Sequence, residues 1–463
     1  MATVNSLRVL LRPTIPMAPR IQPIFVAAAP FSTTRAAAAS AAPSVKSRRD
    51  LPRKVKKNYK KKATAAPVKK PNPGERKAFR KRIQLSNNSA LPVEGLEKLE
   101  STTMSQKENI GKVFGLSDAV VDQLRALEAF KTTQAWNLFR APHVLVREET
   151  AKLIQQLEDS KASKKAAKIV LTGSRLSGKS LAMLQAMSHA LLNEWVVVSI
   201  PEGQDLTNGN TEYSPIPDSQ PMQYSQPVYI IKLLQNILKA NKKVLSSLPV
   251  QEKSSFVGNL KEGASLADLI VNAKEGDAAW PSLQALWKEL TLPGRPPVLF
   301  CLDGVSHINM MSDYRSPEFE PVHAHDLVVV RMFVDALAGK TKLPNGGAII
   351  AATSGNNNHR HPSQELVLAQ LEAGQAGKKD EIPTPDPYER KYDERVYESL
   401  KNVHVMRIEG MSVPETTTLM EYWGASGLLR SAITSNLVKE KWSLAGHGNV
   451  GELERAALRT MHM

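Results

Sequence analysis

A glycine-rich loop that ends in lysine and serine carries the most evident chemistry in this sequence. Gly173, Gly178, Lys179 and Ser180 have the spacing G-x-x-x-x-G-K-S. The two glycines permit tight turns and a close approach of backbone N–H groups to a phosphate. Lys179 would reach the β and γ phosphates of a nucleotide, and Ser180 would ligate Mg²⁺. The predicted nucleotide-binding residues of this loop are Gly173, Ser174, Arg175, Leu176, Ser177, Gly178, Lys179 and Ser180.

The segments on either side of this loop have the pattern that a phosphate site requires. Residues 167–172 form an apolar run that predicts a strand, and residues 181–193 have the apolar periodicity of a helix. Residues 195–200 are a β-branched run that predicts a second strand. Strand, loop, helix and strand within about 35 residues make a βαβ unit, which aims the positive end of the helix dipole at the phosphate. This context argues against a chance match in an ordinary turn.

A second polar position follows another apolar run. Residues 297–302 predict a parallel strand buried on both faces, and the strand ends at Asp303. The carboxyl ends of such strands lie at the edge where these sheets bind ligands. Asp303 and Ser180 are therefore the predicted Mg²⁺ ligands, with Asp303 acting directly or through water. Cys301 is the one cysteine of the chain, so no intrachain disulfide can form, and we expect it to pack as a small apolar side chain.

The residue after Asp303 bears on hydrolysis. Motor-type ATPases with this kind of sheet usually carry a glutamate there to orient the attacking water, and this chain has Gly304. His307 is an alternative base, although a lone histidine is more often structural. The sequence also lacks the Asn-Lys-x-Asp motif that reads guanine. We therefore predict hydrolysis that is weak or absent, and the spacing leaves the base of the nucleotide open.

A further apolar run, residues 347–352, predicts another buried strand that ends in hydroxyl side chains. Thr353 or Ser354 would sense the terminal phosphate of a nucleotide, or would simply cap the strand. We include Thr353 among the predicted nucleotide-binding residues. Arg140, Arg147 and Arg430 are weaker candidates for contacts with the nucleotide, and surface or packing roles suit the first two better.

The remaining elements are predicted from periodicity. A polar loop is expected over 202–226, and an irregular, charged, proline-containing excursion over 362–400. Residues 403–408 alternate as a fifth strand. Three segments, 413–423, 427–436 and 452–460, predict a small helical lid.

The positive charge of the chain is concentrated near its N-terminus. The formal net charge is +16 over 463 residues, and residues 1–82 hold 21 Lys and Arg against two acids. The segment 46–82 has few apolar residues and cannot bury enough surface to fold alone. We predict a disordered arm over 46–90 that binds RNA through phosphates without reading sequence, rather than a charge run that only adds solubility. Its predicted contacts include Lys54, Lys56, Lys57, Lys60, Lys61, Lys62, Arg80, Lys81 and Arg82.

The first 49 residues contain no Asp or Glu and carry Arg8, Arg12, Arg20 and Arg35 among Ser, Thr, Ala and Leu. This composition is typical of a mitochondrial transit peptide, so we predict a transit peptide over 1–45 and a location in the mitochondrial matrix. No stretch of the sequence approaches the roughly eighteen unbroken apolar residues of a membrane span.

These features together resemble the death-associated protein three family of mitochondrial small-ribosomal-subunit GTP-binding proteins. The resemblance is spread over roughly residues 130–430, about two-thirds of the chain. Besides the leader, the matching pieces are residues 136–147, the loop 173–180, Ile200-Pro201, Gln226-Pro227 and Leu302-Asp303-Gly304.

The resemblance implies an α/β P-loop NTPase fold of the additional-strand, AAA+-like type, with a parallel sheet flanked by helices. It also implies binding of GTP or GDP with Mg²⁺, while ATP stays open. The implied partners are ribosomal RNA and proteins of the mitochondrial small subunit, and the large subunit through intersubunit bridges.

The predicted organisation has five parts. These are a transit peptide at 1–45, the basic arm at 46–90, an N-terminal helical region at 91–160, a P-loop nucleotide-binding domain at 161–411 and a C-terminal helical lid at 412–463.

Two functions of different classes fit these observations. The first is a structural component of the mitoribosomal small subunit, in its head near the intersubunit bridges, that holds a purine nucleotide and hydrolyses it weakly at most. The alternative is a catalytic matrix NTPase that acts as a remodelling factor or a nucleic-acid motor. Gly304 favours the first, as does the lack of an evident arginine finger.

Deletion of residues 46–82 should weaken RNA association and flatten its dependence on salt, because counterion release scales with the number of phosphates that the protein neutralises. The measurement is the slope of log K against log salt for the whole chain and for the deletion variant, each with the same RNA. An unchanged slope would rule out the arm as a phosphate-binding segment.

Overall fold

The computed structural model describes residues 83–217, 219–251, 263–355, 361–378 and 382–459. The predicted transit peptide and the charged segment 46–82 lie outside the described residues. Among the helices in these ranges, none has the length and apolar character needed to cross a membrane.

The strands of the described ranges are short, and several belong to one sheet. In chain order they are β1 Val113–Gly115, β2 His143–Leu145, β3 Ala167–Thr172, β4 Val196–Ile200, β5 Ser214–Ile216, β6 Gln223–Ser225, β7 Val298–Asp303, β8 Met311–Arg315, β9 Pro321–His323, β10 Gly347–Ala352 and β11 His404–Arg407.

The α-helices cover both faces of that sheet and continue beyond its last strand. In chain order they are α1 Asp118–Ala126, α2 Glu148–Ser163, α3 Lys179–Leu192, α4 Gln204–Thr207, α5 Pro227–Ala240, α6 Lys242–Ser247, α7 Leu266–Asn272, α8 Gly276–Leu290, α9 Val328–Ala338, α10 Pro362–Gln375, α11 Glu394–Leu400, α12 Val413–Ala425, α13 Ser435–Leu444 and α14 Val450–Glu454, and a π-helical turn, Arg455–Arg459, follows α14.

Five strands form a parallel sheet in the order β11–β3–β10–β7–β4. The strand β10 pairs with β3 on one side and with β7 on the other, so Ile350 lies beside both Ile169 and Cys301. The strand that precedes the glycine-rich loop is therefore separated by one strand from the strand that ends in Asp303. Because all five strands run in the same direction, the loop and Asp303 emerge at the same edge of the sheet.

Helices cover the sheet on both faces because its strands are apolar on both sides. Successive residues of a strand point to opposite faces. In β3, Ile169 and Leu171 belong to a core with α1, α2 and α3, whereas Val170 belongs to a second core with helices α5 to α11. The strands predicted from apolar runs are thus confirmed, to within one residue at each end.

The C-terminal helices share a third core with a segment that precedes the five-stranded sheet in the sequence. Met420 and Trp423 of α12 and Leu453 of α14 are buried together with Phe139 and Leu145. Helix α12 begins at a capping box in which Ser412 accepts from the Glu415 N–H while the Glu415 carboxylate accepts from the Ser412 N–H. The lid elements are therefore packed against residues that precede and include β2.

Two predictions about local structure are wrong. Residues 362–400 contain α10 and α11 rather than an irregular excursion, because Leu366, Val367 and Leu368 are buried although polar residues surround them in the sequence. Residues 427–434 are not helical; helix α13 begins only at Ser435, where the Thr434 hydroxyl caps it by accepting from the Leu437 N–H.

The loop predicted over 202–226 contains the short helix α4 and the hairpin of β5 and β6. Ser265 and Asp268 form a capping box at the start of α7. Residues 91–160, predicted as helical, also contain the antiparallel pair β1 and β2.

Candidate nucleotide-binding site

The glycine-rich loop joins the end of β3 to the start of α3. Gly173 has φ +130°, and a Cβ at this position would lie 2.2 Å from the Ile408 carbonyl oxygen. A residue with a side chain would therefore clash with the backbone that follows β11. Helix α3 begins at Lys179, so the unpaired N–H groups of its first turn lie next to the loop.

Lys179 is buried at the base of the loop. Its Nζ donates to the carbonyl oxygens of Gly173, at 2.9 Å, and Ser174, at 2.7 Å. Burial lowers the pKa of the Lys179 ammonium, and the nearby Asp303 carboxylate opposes that change. The two carbonyl groups hold the ammonium within the curve of the loop.

The structure brings Ser180 and Asp303 together. The Ser180 hydroxyl donates to Asp303 Oδ2 at 2.7 Å, and both side chains are half-buried. This contact follows from the positions of β3 and β7 on either side of β10, since Asp303 ends β7 and Ser180 lies in the first turn of the helix that follows β3. Two protein oxygens with this geometry fit a Mg²⁺ that takes its other ligands from phosphate and water.

A cavity of about 250 Å³ lies in front of the loop. It is lined by part of the predicted set: Arg175, Leu176, Ser177, Gly178, Lys179, Ser180, Asp303 and Thr353. Gly173 and Ser174 form the start of the loop and do not line this cavity. The Ser174 hydroxyl donates instead to Asn449 Oδ1 of the C-terminal segment, at 2.9 Å.

Thr353 lies at the cavity wall, but its hydroxyl is used by the sheet. Thr353 Oγ1 donates to the Leu171 carbonyl oxygen at 3.2 Å, and the Thr353 N–H donates to the same oxygen at 3.0 Å. The alternative of a strand cap therefore describes its contacts in this structure. Ser354 also lines the cavity.

The backbone at Gly304 bears directly on hydrolysis. Gly304 has φ +83°, the left-handed region, and a Cβ there would lie 3.2 Å from His307 Cδ2. A glutamate at this position would be strained in addition to crowding the histidine. His307 is buried and lines the cavity.

Lys131 belongs to the site although nothing in the residue spacing identified it. Its Nζ lies 3.1 Å from Asp303 Oδ2 and also donates to the Pro201 carbonyl oxygen. The Lys131 and Asp303 side chains are each 16% exposed, and both line the cavity. The composition of residues 131–134 is typical of a polar linker. The aromatic residues that flank this stretch, Phe130 and Trp136, are the sequence feature that could indicate a fixed backbone there.

Of the three arginines considered from the sequence, only Arg147 contacts the loop. Arg147 Nη1 donates to the Ser177 carbonyl oxygen at 3.3 Å, and Nη2 donates to Glu409 O at 3.0 Å. Arg140 is exposed and donates to Asn88, and Arg430 is exposed and does not line the cavity.

A second, mainly apolar cavity of about 70 Å³ adjoins the first at Gly178 and Leu181. It is lined by side chains that include Trp136, Phe139, His143 and Trp423. The His143 ring lies 4.1 Å from the Tyr422 ring, centroid to centroid, and burial lowers the pKa of its imidazole to about 4. This pocket combines aromatic surface with a position next to the start of α3.

A parallel five-stranded sheet with helices on both faces, a glycine-rich loop between β3 and α3 and an acid at the end of β7 are compatible with a P-loop-like nucleotide-binding fold. A family model described as "Mitochondrial ribosomal death-associated protein 3" matches residues 144–456. The chain belongs to this family, which confirms the resemblance seen in the sequence. Membership also confirms the predicted location in the mitochondrial matrix.

Three relatives that the chain matches share one name. It is 47% identical to the small ribosomal subunit protein mS29 of Neurospora crassa over the full length of both chains. It is 23% identical to the protein of the same name from Schizosaccharomyces pombe, over 71% of this chain and 67% of that one. The Bos taurus protein is 22% identical over 54% of this chain and 62% of its own length.

His143 should make the fold sensitive to acid. Because its pKa is lower in the folded protein than the usual 6.5, the unfolded chain takes up a proton first, and stability falls as the pH drops from about 6.5 towards 4. The expected loss between pH 7 and pH 4.5 is about 2–3 kcal/mol. It is measured as the difference in urea-unfolding free energy between wild type and His143→Phe at the two pH values.

Tyr422→Phe is the matched control, since it changes the same aromatic contact without removing a group that titrates between pH 4 and 7. It should leave the acid sensitivity in place. Equal pH dependence of wild type and His143→Phe would show that the imidazole does not contribute.

Proposed function

We propose that this protein is a structural component of the small subunit of the mitochondrial ribosome that holds a purine nucleotide, GTP or GDP, with Mg²⁺. The names of the relatives support the ribosomal part, and the full-length match at 47% identity is the strongest of these comparisons. Ribosomal RNA and ribosomal proteins of the small subunit are the proposed partners. Contacts with the large subunit through intersubunit bridges extend the proposal from the family.

The contact between Ser180 and Asp303 beside Lys179 carries the nucleotide part of the proposal. One edge of the sheet brings together a loop that can surround phosphate, an ammonium held inside the loop and two oxygens that suit Mg²⁺. The place of β10 between β3 and β7 supports assignment to the additional-strand, AAA+-like type of P-loop fold. The adjoining apolar cavity would hold the nucleobase against aromatic surface.

Retention of the nucleotide, rather than turnover, is the proposed mode of action. Gly304 supplies no side chain to orient water, and its backbone conformation disfavours one. A ligand bound only by the folded state stabilises it by about 3–4 kcal/mol at a hundred to a thousand times its Kd. That is a large share of the stability of an ordinary domain, so the nucleotide can serve the fold without being hydrolysed.

The charged segment 46–82 of the basic arm is the proposed contact with ribosomal RNA. Its charge would hold the protein to phosphate while residues 83–463, whose formal net charge is −3, contribute shape. The affinity of the segment for RNA would fall steeply with salt.

Lys179→Ala should lower nucleotide occupancy and melting temperature together, because it removes the cation that the loop carbonyl groups hold. Mass spectrometry of nucleotide released from the native protein measures occupancy and identifies the base and the number of phosphates. Thermal unfolding with saturating nucleotide gives the stability. Lys239→Ala, on the exposed side of α5, is the matched control and should change neither.

Equal melting temperatures for Lys179→Ala and wild type, each with saturating nucleotide, would contradict a structural ligand. Rapid hydrolysis by the free protein, lost in Lys179→Ala, would favour the catalytic NTPase instead.

The ribosomal part is tested by co-sedimentation. The protein should sediment with mitoribosomal small subunits in moderate salt, since an integral component is held by more than exposed charge. Release into the supernatant at a salt concentration that leaves the subunit intact would argue for a transient factor.

A further inference from the structure

Lys131 provides a second positive charge at the wall of the cavity that Lys179 also lines. Its ammonium lies 3.1 Å from Asp303 Oδ2, and the same oxygen accepts from the Ser180 hydroxyl at 2.7 Å. One carboxylate oxygen, the predicted Mg²⁺ ligand, is thus in contact with an ammonium and a hydroxyl at once. The ammonium also donates to the Pro201 carbonyl oxygen at the end of β4, so it bridges two neighbouring strands of the sheet.

The backbone that carries Lys131 is held in place. The rings of Phe130 and Trp136, both buried, meet edge to face with centroids 5.2 Å apart. The Lys131 N–H donates to Gln134 Oε1 at 2.9 Å, and the Trp136 indole N–H donates to the same oxygen at 2.5 Å. These contacts fix the turn that carries Lys131, and the turn places the side chain next to Asp303.

The charges at this point cannot all be satisfied together. A divalent cation bound to Asp303 would lie within a few ångströms of the Lys131 ammonium, and like charges at that distance repel strongly in a site with little water. The ion pair would therefore open when Mg²⁺ binds Asp303 Oδ2 directly, because Lys131 and Ser180 contact that same oxygen. Without Mg²⁺, the ammonium neutralises a carboxylate that would otherwise repel the phosphates of a nucleotide.

We propose that Lys131 competes with Mg²⁺ for Asp303 and thereby lets the protein keep its nucleotide when Mg²⁺ is scarce. The inference rests on the proposed nucleotide binding. It assigns control over the Mg²⁺ dependence of that binding to a residue outside the loop motif. In the metal-free protein Lys131 is the counter-ion of Asp303. When Mg²⁺ binds Asp303, the Lys131 ammonium gives up its contact with the carboxylate.

The measured quantity is the dissociation constant of a nucleoside diphosphate in excess EDTA divided by its dissociation constant in saturating Mg²⁺. Lys131→Met should raise this ratio by about tenfold or more, the size expected for one charged contact. Affinity in EDTA falls because Asp303 is left uncompensated, and affinity in Mg²⁺ is unchanged or higher because the metal has no competitor. GDP and ADP are both titrated into the full chain by calorimetry, after bound nucleotide has been removed.

Two variants serve as controls. Lys131→Arg keeps the charge and should keep a ratio close to that of wild type. Lys232→Met removes an ion pair with Glu128 that does not line the nucleotide cavity, and it should leave the ratio unchanged. In an Asp303→Asn background, Lys131→Met should no longer change the ratio, since the carboxylate for which the two cations compete is gone.

An equal ratio in wild type and Lys131→Met, both of which bind nucleotide, would overturn this inference and leave the proposed function intact. A ratio that falls in Lys131→Met would overturn it as well. If no variant binds either nucleotide in Mg²⁺ or in EDTA, the proposed function and the inference fail together. Thermal unfolding of each variant in EDTA without nucleotide separates a loss of folding from a loss of binding, and Lys131→Gln replaces Lys131→Met if the latter does not fold.

Discussion

The buried guanidinium of Arg147 holds together three parts of the chain that are far apart in sequence. It donates to the Ser177 carbonyl oxygen in the glycine-rich loop and to the carbonyl oxygens of Glu409 and Gly410 after β11. Glu149 at the start of α2 supplies a carboxylate at 3.1 Å. A buried charge is costly unless it is paired and hydrogen-bonded, so these partners cannot separate independently. The conformation of the loop is therefore linked to the last strand of the sheet and to the C-terminal helices that follow it.

The C-terminal segment also contacts the glycine-rich loop. Asn449 accepts from the Ser174 hydroxyl, and the Gly451 N–H donates to the Leu176 carbonyl oxygen at 3.2 Å. Elements from both ends of the described chain thus fix the loop before any ligand is considered. A site that is already ordered loses little conformational entropy on binding, which favours tight retention of the ligand. The same contacts explain how a ligand on the loop would stabilise distant helices, which suits a nucleotide that serves the fold.

The sheet and the loop could be predicted because their signals are local. Continuous apolar runs identify strands buried on both faces, and the glycine, lysine and serine spacing identifies the loop without reference to anything else. Lys131 could not be found in this way, since its role depends on where a polar turn falls relative to the end of β7. The helical residues after 361 were missed for a related reason: a small buried cluster around Val367 is surrounded in sequence by charged and proline-containing stretches. The strand cap at Thr353 could be proposed from sequence but not chosen, because it depends on the partner strand.

Gly304 and Lys131 both bear on whether the site could hydrolyse a nucleotide. The left-handed backbone at Gly304 disfavours a water-orienting side chain directly after Asp303, so the route by which related folds gain hydrolysis is restricted by geometry and not only by residue type. Lys131 places an ammonium on that same aspartate, so Mg²⁺ would have to displace this ammonium in order to bind the carboxylate oxygen directly. Both features disfavour hydrolysis at this site. Neither removes the glycine-rich loop or Lys179, which are the predicted phosphate-binding parts. The combination agrees with the proposed mode of action, in which a nucleotide is bound without turnover.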